Sequence, residues 1–290
     1  MKLLLSCIST SFKLFDIIRL YPYILLILIL FFTISCPNVG YSQRTKTSIK
    51  AGEQRKAEKG LKDNRYFFYF IDSSITNLGT EEEKRLFKEA IQRDIIAQLL
   101  YMKFLFKESF NEIRKAQSIL INLYRITLKR DISITRNLLN GFAPMSIESN
   151  NNKAIHYLRL GYRDMRVSEI YLGMADNYRE SLYSMRLYKY VKAIKKAKHG
   201  KRYAFLSMIE CKSLQEGRKA IAQPSYENIE KIIMKLAPPE KVEYYRLIHQ
   251  DNYYISKDDK SFFDLVWENP VIHEIQDYQR YLDEVEIADE

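Results

Sequence analysis

The chain has 290 residues, of which 47% are hydrophobic, and a formal net charge of +10 at pH 7. This apolar content excludes a broadly disordered protein, and the length suffices for one large domain or two modest ones. The charge is uneven, since residues 43–238 hold a net +17 and residues 239–290 a net −9. The acidic part therefore either contacts the basic body, in one chain or between neighbours, or the two are solvated faces of opposite sign.

The first 42 residues have the order of an export signal. Three basic residues precede the unbroken apolar run Ile24–Phe32, and a polar, turn-prone segment follows it. Small residues at Gly40 and Ser42 suit cleavage before Gln43. We therefore predict that residues 1–42 are a signal peptide and that the rest of the chain is periplasmic.

Two alternatives to cleavage remain open. Cys36 ends a lipobox-like sequence and would then carry lipid, making the protein a lipoprotein. The segment Leu20–Cys36 would otherwise stay as an anchor, although about 17 residues is the lower limit for a membrane span. Beyond this segment Cys211 is the only cysteine, so no internal disulfide stabilises the remaining chain.

The segment after residue 42 is first polar and basic and then aromatic. Residues 43–64 are polar, basic and nearly free of large apolar groups, which predicts a flexible basic lead. The aromatic sequence RYFFYF, Arg65–Phe70, then forms either a short strand or the start of a helix. So much aromatic area needs a partner surface.

Residues 65–222 are predicted to form a helical body. No glycine or proline occurs from Thr80 to Asn140, and Thr80 with Glu83 has the spacing of a helix capping box. Ser109 with Glu112 offers a second box, so this block is one helix or two. Asn140, Gly141 and Pro144 are expected to end it.

A second helical block follows the cap at residues 150–152. Small residues recur there at helical spacing, which loosely resembles tetratricopeptide hairpins. A heptad stripe is expected to face a partner helix; it consists of Tyr183, Leu187, Tyr190, Ile194 and Ala197. Gly200 is expected to end the helix that carries the stripe, and Lys201 to begin the next helix.

Residues 223–290 are predicted to form an acidic C-terminal region of short helices, each preceded by proline at Pro224, Pro238 or Pro270. No stretch alternates convincingly as a strand would. The predicted fold is therefore all-α and elongated, built of long helices and helical hairpins without a substantial sheet.

Basic residues and tyrosines alternate in residues 182–205, which raises the question of nucleic-acid binding. An exported chain does not meet nucleic acid, and the stripe assigns two of the tyrosines to the core. The basic row beside the stripe is then a solvated face or a protein-interaction face; it comprises Arg186, Lys189, Lys192 and Lys196.

The motifs of common catalytic and cofactor sites are missing from the sequence. The four histidines are scattered, and there is no phosphate-binding glycine loop or nucleophile elbow. We therefore predict no enzyme activity, no cofactor and no small-molecule substrate.

The segment from Tyr157 to Ser213 resembles the leptospiral flagellar coiling proteins in its YLRLGYRD, ADNYR, LYSMRLYKYV and KRYAF elements. This resemblance implies a periplasmic, mainly helical component of the flagellar filament sheath that contributes to filament coiling and motility. Its partners would be filament and sheath proteins and neighbouring copies of itself. The alternative is a periplasmic helical-repeat adaptor or lipoprotein that binds other envelope proteins.

Overall fold

A computed structural model of the protein describes residues 46–215, 225–257 and 260–268. The chain divides into two compact units, residues 1–49 and residues 50–290, and the second unit contains the helical bundle. The predicted signal peptide, Cys36, Pro270 and the last 22 residues of the acidic C-terminal region, 269–290, lie outside the described residues.

Eight α-helices and one short 3₁₀ turn make up the described ranges, with no strand among them. Five long helices come first: α1 (Lys46–Leu78), α2 (Glu81–Met102), α3 (Phe106–Glu148), α4 (Asn152–Asp176) and α5 (Tyr183–Gln215). Shorter elements follow: α6 (Tyr226–Leu236), the 3₁₀ turn Pro239–Lys241, α7 (Val242–Asn252) and α8 (Phe262–Glu268). The all-α prediction is confirmed. None of these helices is long and apolar enough to cross a membrane.

The long helices alternate in direction, so α1, α3 and α5 run parallel to one another. The contacts of α4 with α5 show the alternation: Ser168 bonds to the carbonyl of Ala193 at 2.8 Å, and Arg186 bonds to the carbonyl of Ala175 at 3.2 Å. Residue numbers rise along one helix as they fall along the other, which defines an antiparallel hairpin. The contacts of α1 with α5 rise together, from Asp63–Tyr188 to Ser73–Lys198.

The two largest apolar clusters of the described residues lie among the long helices, and a smaller one surrounds Ala57, Ala97 and Ile113. One lies among α1, α2, α3 and α5 and includes Phe67, Phe87 and Tyr190. The other lies where α6 and α7 cover α3, α4 and α5, and includes Phe205 and Ile248. The predicted stripe contributes to the first, since Leu187, Tyr190, Ile194 and Ala197 are fully buried and Tyr183 packs at the edge.

The capping box of Thr80 and Glu83 is confirmed, with both hydrogen bonds formed at the start of α2. The second predicted capping box, Ser109 with Glu112, does not form. The block is two helices, but α3 begins at Phe106, and the hydroxyl of Ser109 donates instead to the carbonyl of Ala97 at 2.7 Å. Glu112 pairs with Arg93 across the hairpin, so both side chains bind α2 rather than the helix start.

Three expected interruptions do not occur. From Lys46 to Asn64 the chain is helical rather than a flexible lead, because small residues such as Ala57 and Gly60 pack tightly on Ile113 without needing large apolar groups. Helix α3 continues through Gly141 and Pro144, since Phe142 and Ser146 are buried beyond them. Helix α5 continues through Gly200, where close packing requires the glycine.

Candidate functional site

The four residues of the predicted basic row do not form one outward-facing row. Arg186 is buried, and its guanidinium donates to the carbonyl of Ala175. Lys196 donates to Asp164 at 3.3 Å, and the Lys189 ammonium lies 5.8 Å from the ring centroid of Tyr171. These three turn toward α4, the antiparallel partner of α5. Lys192 alone of the four is exposed.

A larger exposed surface lies along the line where α1 and α5 run side by side. We call it the basic–aromatic surface; its members are Arg55, Lys59, Lys62, Arg65, Tyr66 and Tyr69 of α1 with Tyr188, Lys192 and Lys195 of α5. Apart from the adjacent pair Arg65 and Tyr66, the residues of each helix follow one another at spacings of three or four, which places them on one side of that helix. Glu58 is exposed on the same side of α1, so the surface is strongly but not purely basic.

Direct contacts join the two halves of this surface. The hydroxyl of Tyr188 donates to Asp63 at 2.7 Å, and the ammonium of Lys195 donates to the hydroxyl of Tyr66 at 3.3 Å. The same ammonium lies 3.8 Å from the ring centroid of Phe70, a cation–π distance. Burial and the hydrogen bond to Asp63 raise the pKa of Tyr188 to about 12, so its hydroxyl remains a donor at neutral pH.

The aromatic part of the surface is held in place before any ligand binds. Tyr69 is 60% exposed, and one side of its ring stacks on Tyr254 at 5.8 Å between centroids. Tyr254 has a φ of 60°, in the left-handed region that bulky residues rarely adopt. The ammonium of Lys198 lies 4.1 Å from the ring centroid of Tyr254, and this cation–π contact helps to hold the Tyr254 ring in place. Rigid tyrosines bind partners with little loss of side-chain entropy.

A groove lies at each end of the surface. One, of about 420 Å³, is lined by Arg65, Tyr69, Asp72 and Tyr254 together with residues leading into α8. The other, of about 460 Å³, is lined by Lys56, Lys59, Arg114, Met185 and Tyr188 among others. In the second, the Arg114 guanidinium lies 4.6 Å from the Phe110 centroid and donates to Gln117. Burial lowers the pKa of Arg114.

A buried group of charges fixes α5 beneath the surface. The carboxylate of Asp251 on α7 accepts from Lys198 at 2.7 Å and from Lys201 at 2.6 Å, and Lys201 also bonds to Asp131 at 3.1 Å. All four side chains are fully buried. The hydroxyls of Ser73 and Ser74 on α1 also donate to Asp251, so this one carboxylate connects α1, α5 and α7.

The pKa values of this group follow from its geometry. Burial raises the pKa of Asp251, but the two adjacent ammonium groups outweigh burial and the net pKa is lowered. Burial lowers the pKa of Lys198, which has one carboxylate partner and Lys201 as a neighbour. Burial acts on Lys201 as well, but two carboxylates outweigh it and its pKa is raised. The group joins α1, α3, α5 and α7 beneath the surface.

His249 on α7 provides a prediction about pH. It is 1% exposed and stacks on Tyr226, and burial lowers its pKa from 6.5 to about 4. Between these pH values the folded protein keeps the ring neutral while the unfolded chain binds a proton, so stability is lost as the pH falls from about 6.5 to 4. We expect His249→Gln to remove on the order of 2–3 kcal/mol of this pH-dependent loss.

The measurement is the free energy of unfolding in urea at several pH values for both proteins. Burial raises the pKa of Asp72 and of Asp94 to about 6, so these carboxyls act in the opposite direction and add stability as the pH falls. Both occur in each protein, and the difference between the two curves therefore isolates His249. Parallel curves would contradict the prediction.

Within residues 46–215, 225–257 and 260–268, no three His, Cys, Asp or Glu side chains converge as metal ligands do. Cys211 is buried as a free thiol.

A family model described as surface protein adhesin OmpL37 matches residues 51–280. The chain belongs to this family. The matched range contains both halves of the basic–aromatic surface and Asp251 beneath it. No curated protein and no solved structure matches the chain.

Membership of the OmpL37 adhesin family corrects the sequence interpretation of function. The predicted role in the filament sheath and in motility is wrong, because the matching family is one of surface adhesins. The match supports neither the assignment to the flagellar coiling proteins nor the flagellar partners. The elements that carried the resemblance lie largely in α4 and α5. Their buried side chains, such as Leu158, Leu187 and Phe205, pack inside the bundle, so part of the resemblance reflects helix packing.

The sequence interpretation also missed the α1 half of the surface, because residues 43–64 were taken as a flexible lead. A helical signal was present there, since Arg55, Lys59, Lys62, Tyr66 and Tyr69 follow one another at spacings of four, three, four and three. The parallel packing against Lys192 and Lys195 of α5 is a long-range contact, which such spacing does not predict.

Proposed function

We propose that this protein is a non-enzymatic surface adhesin that binds an acidic protein partner through the basic–aromatic surface. The observation that carries the proposal is the convergence of six exposed or half-buried cations from α1 and α5 around three tyrosines; the cations are Arg55, Lys59, Lys62, Arg65, Lys192 and Lys195. The family description supports both the surface location and the binding role.

The composition of the surface suits protein recognition. Tyrosine and arginine are enriched at the centres of protein interfaces, and here Tyr66, Tyr69 and Tyr188 lie among the cations rather than apart from them. The cations steer an acidic partner into contact, and the tyrosines supply the contact area. The grooves at either end accept side chains that protrude from the partner.

The test is charge reversal on this surface. We expect the triple variant Lys59→Glu, Lys62→Glu and Lys192→Glu to bind an immobilised extracellular-matrix coat at least about tenfold more weakly than the unaltered protein, since each exposed pair contributes up to about 1 kcal/mol and tenfold corresponds to about 1.4 kcal/mol. Raising the salt concentration should weaken the unaltered protein in the same way. Binding is measured with the purified full-length protein by surface biosensor.

A matched control separates the surface from total charge. The triple variant Lys129→Glu, Lys231→Glu and Lys235→Glu changes the net charge equally, at exposed lysines of α3 and α6. We expect its binding to stay close to that of the unaltered protein. Equal losses in both triple variants would contradict the proposed surface. Digestion of the coat with glycosaminoglycan lyases should leave binding intact, whereas its loss would assign the ligand to sulfated polysaccharide instead of protein.

A further inference from the structure

The turn between α2 and α3 exposes two large apolar side chains at the end of the bundle. We call Met102, Lys103 and Phe104 the turn tip; Met102 is 65% exposed and Phe104 is 78% exposed. The backbone closes as a Schellman motif, with the amide of Phe104 donating to Tyr101 and that of Leu105 to Leu100, each at 3.0 Å. Phe104 occupies the position with φ of 61°, which glycine normally takes.

The other two left-handed residues in the described ranges have evident reasons for their position. Asn150 follows α3, and asparagine tolerates this backbone conformation. Tyr254 follows α7, where stacking on Tyr69 and the ammonium of Lys198 stabilise its ring. Phe104 has one ring neighbour, Phe106, at 6.1 Å between centroids. Contacts among the described residues therefore support the left-handed conformation of Phe104 less than they support that of Tyr254.

We infer that the turn tip inserts into an anionic lipid surface. Two such side chains expose on the order of 300 Å², far less than the roughly 800 Å² per partner of a stable protein interface. Lipid, in contrast, accepts single protruding side chains. Lys103 and Lys107 are exposed on either side of Phe104 and match anionic headgroups. Apolar residues flanked by lysine are the pattern of interfacial anchoring.

Tryptophan fluorescence tests the depth of the turn tip directly. The chain has one tryptophan, so Trp267→Phe provides a background for Met102→Trp and for the control Ile147→Trp. Ile147 is 64% exposed, nearly the same as Met102, and lies at the α3–α4 turn at the opposite end of α3. The full-length variants are reconstituted into vesicles of brominated phosphatidylcholine and phosphatidylglycerol.

Inserted about 5–10 Å below the surface, the tryptophan at position 102 should lose most of its emission to the brominated chains, while that at 147 should not. Vesicles without phosphatidylglycerol should reduce the quenching at 102. Equal quenching at the two positions would overturn the inference. So would a blue-shifted but unquenched tryptophan at 102, because that result means that protein covers the turn tip.

A second variant distinguishes a membrane role from a purely structural one. Phe104→Gly in the Met102→Trp background supplies the residue that the left-handed position favours, so we expect a higher melting temperature. The same change removes the inserting side chain and should reduce the lipid quenching at position 102. A higher melting temperature together with weaker quenching at position 102 supports the inference. A lower melting temperature with unchanged quenching shows that Phe104 serves packing and overturns it.

Discussion

Replacing Asp251 by alanine is expected to lower the free energy of unfolding by about 3–5 kcal/mol, because a buried ion pair is broken by removing one partner. Lys201 keeps its contact with Asp131 at 3.1 Å, but Lys198 loses the one carboxylate with which it pairs among the described residues, while remaining fully buried. The hydroxyls of Ser73 and Ser74 lose an acceptor as well. Urea unfolding followed by circular dichroism measures the loss.

Two further variants give this prediction its controls. Asp264→Ala changes an exposed carboxylate of α8 and should alter stability by less than about 0.5 kcal/mol. Lys198→Met combined with Asp251→Asn should recover part of the loss, since no unpaired ammonium then remains and the amide still accepts from the serines. If Asp251→Ala unfolds at the same urea concentration as the unaltered protein, the buried charges do not hold α7 in place.

Gly200→Ala is expected to destabilise the protein by about 1–3 kcal/mol, the usual cost of overpacking a filled core. A Cβ atom at this position would lie 2.7 Å from Cγ2 of Thr135 and 3.3 Å from the carbonyl oxygen of Gly161. Thr135 cannot easily move, since its hydroxyl bonds to the carbonyls of Asp131 and Ala197. Helices α3, α4 and α5 would therefore have to separate at their common crossing.

Gly141→Ala is the matched control, because it makes the same chemical change inside α3 where no atom lies within 4 Å of the added Cβ. Alanine is favoured over glycine in a helix by about 0.5–1 kcal/mol, so this variant should gain stability. Melting temperatures of the two variants should thus move in opposite directions. A stabilised Gly200→Ala protein would show that the crossing has room to spare.

The sequence predicted those parts of the fold that local patterns encode. The capping box at Thr80 and the heptad stripe through Leu187 and Tyr190 depend on near neighbours along the chain, and both are confirmed. The course of α5 through Gly200 depends instead on Gly161 and Thr135, which are distant in sequence. Glycine there predicts a helix end locally, and the close approach of three helices outweighs that tendency.

The candidate site was predictable only in part for the same reason. Lys192 was found because α5 has a clear apolar stripe, and the residues beside it were then taken to face outward. The side of α5 that packs against α4 is set by the tertiary arrangement and not by the sequence of α5 alone. Arg186 lies on that side and is therefore buried. The α1 half depends on small-residue packing at Ala57 and Gly60, which hydrophobicity alone does not reveal.

Asp251 also has a consequence for how the chain reaches its native state. Synthesis proceeds from the N-terminus, so Lys198 and Lys201 emerge about 50 residues ahead of the carboxylate that they share. Before α7 is synthesised, Asp131 is the buried carboxylate available to both Lys198 and Lys201. Burying the second ammonium without a carboxylate partner is costly, and this cost opposes exclusion of water from the centre of the bundle. We therefore expect a chain that ends before residue 251 to be less stable, and to be cleaved by proteases more readily, than the full-length protein.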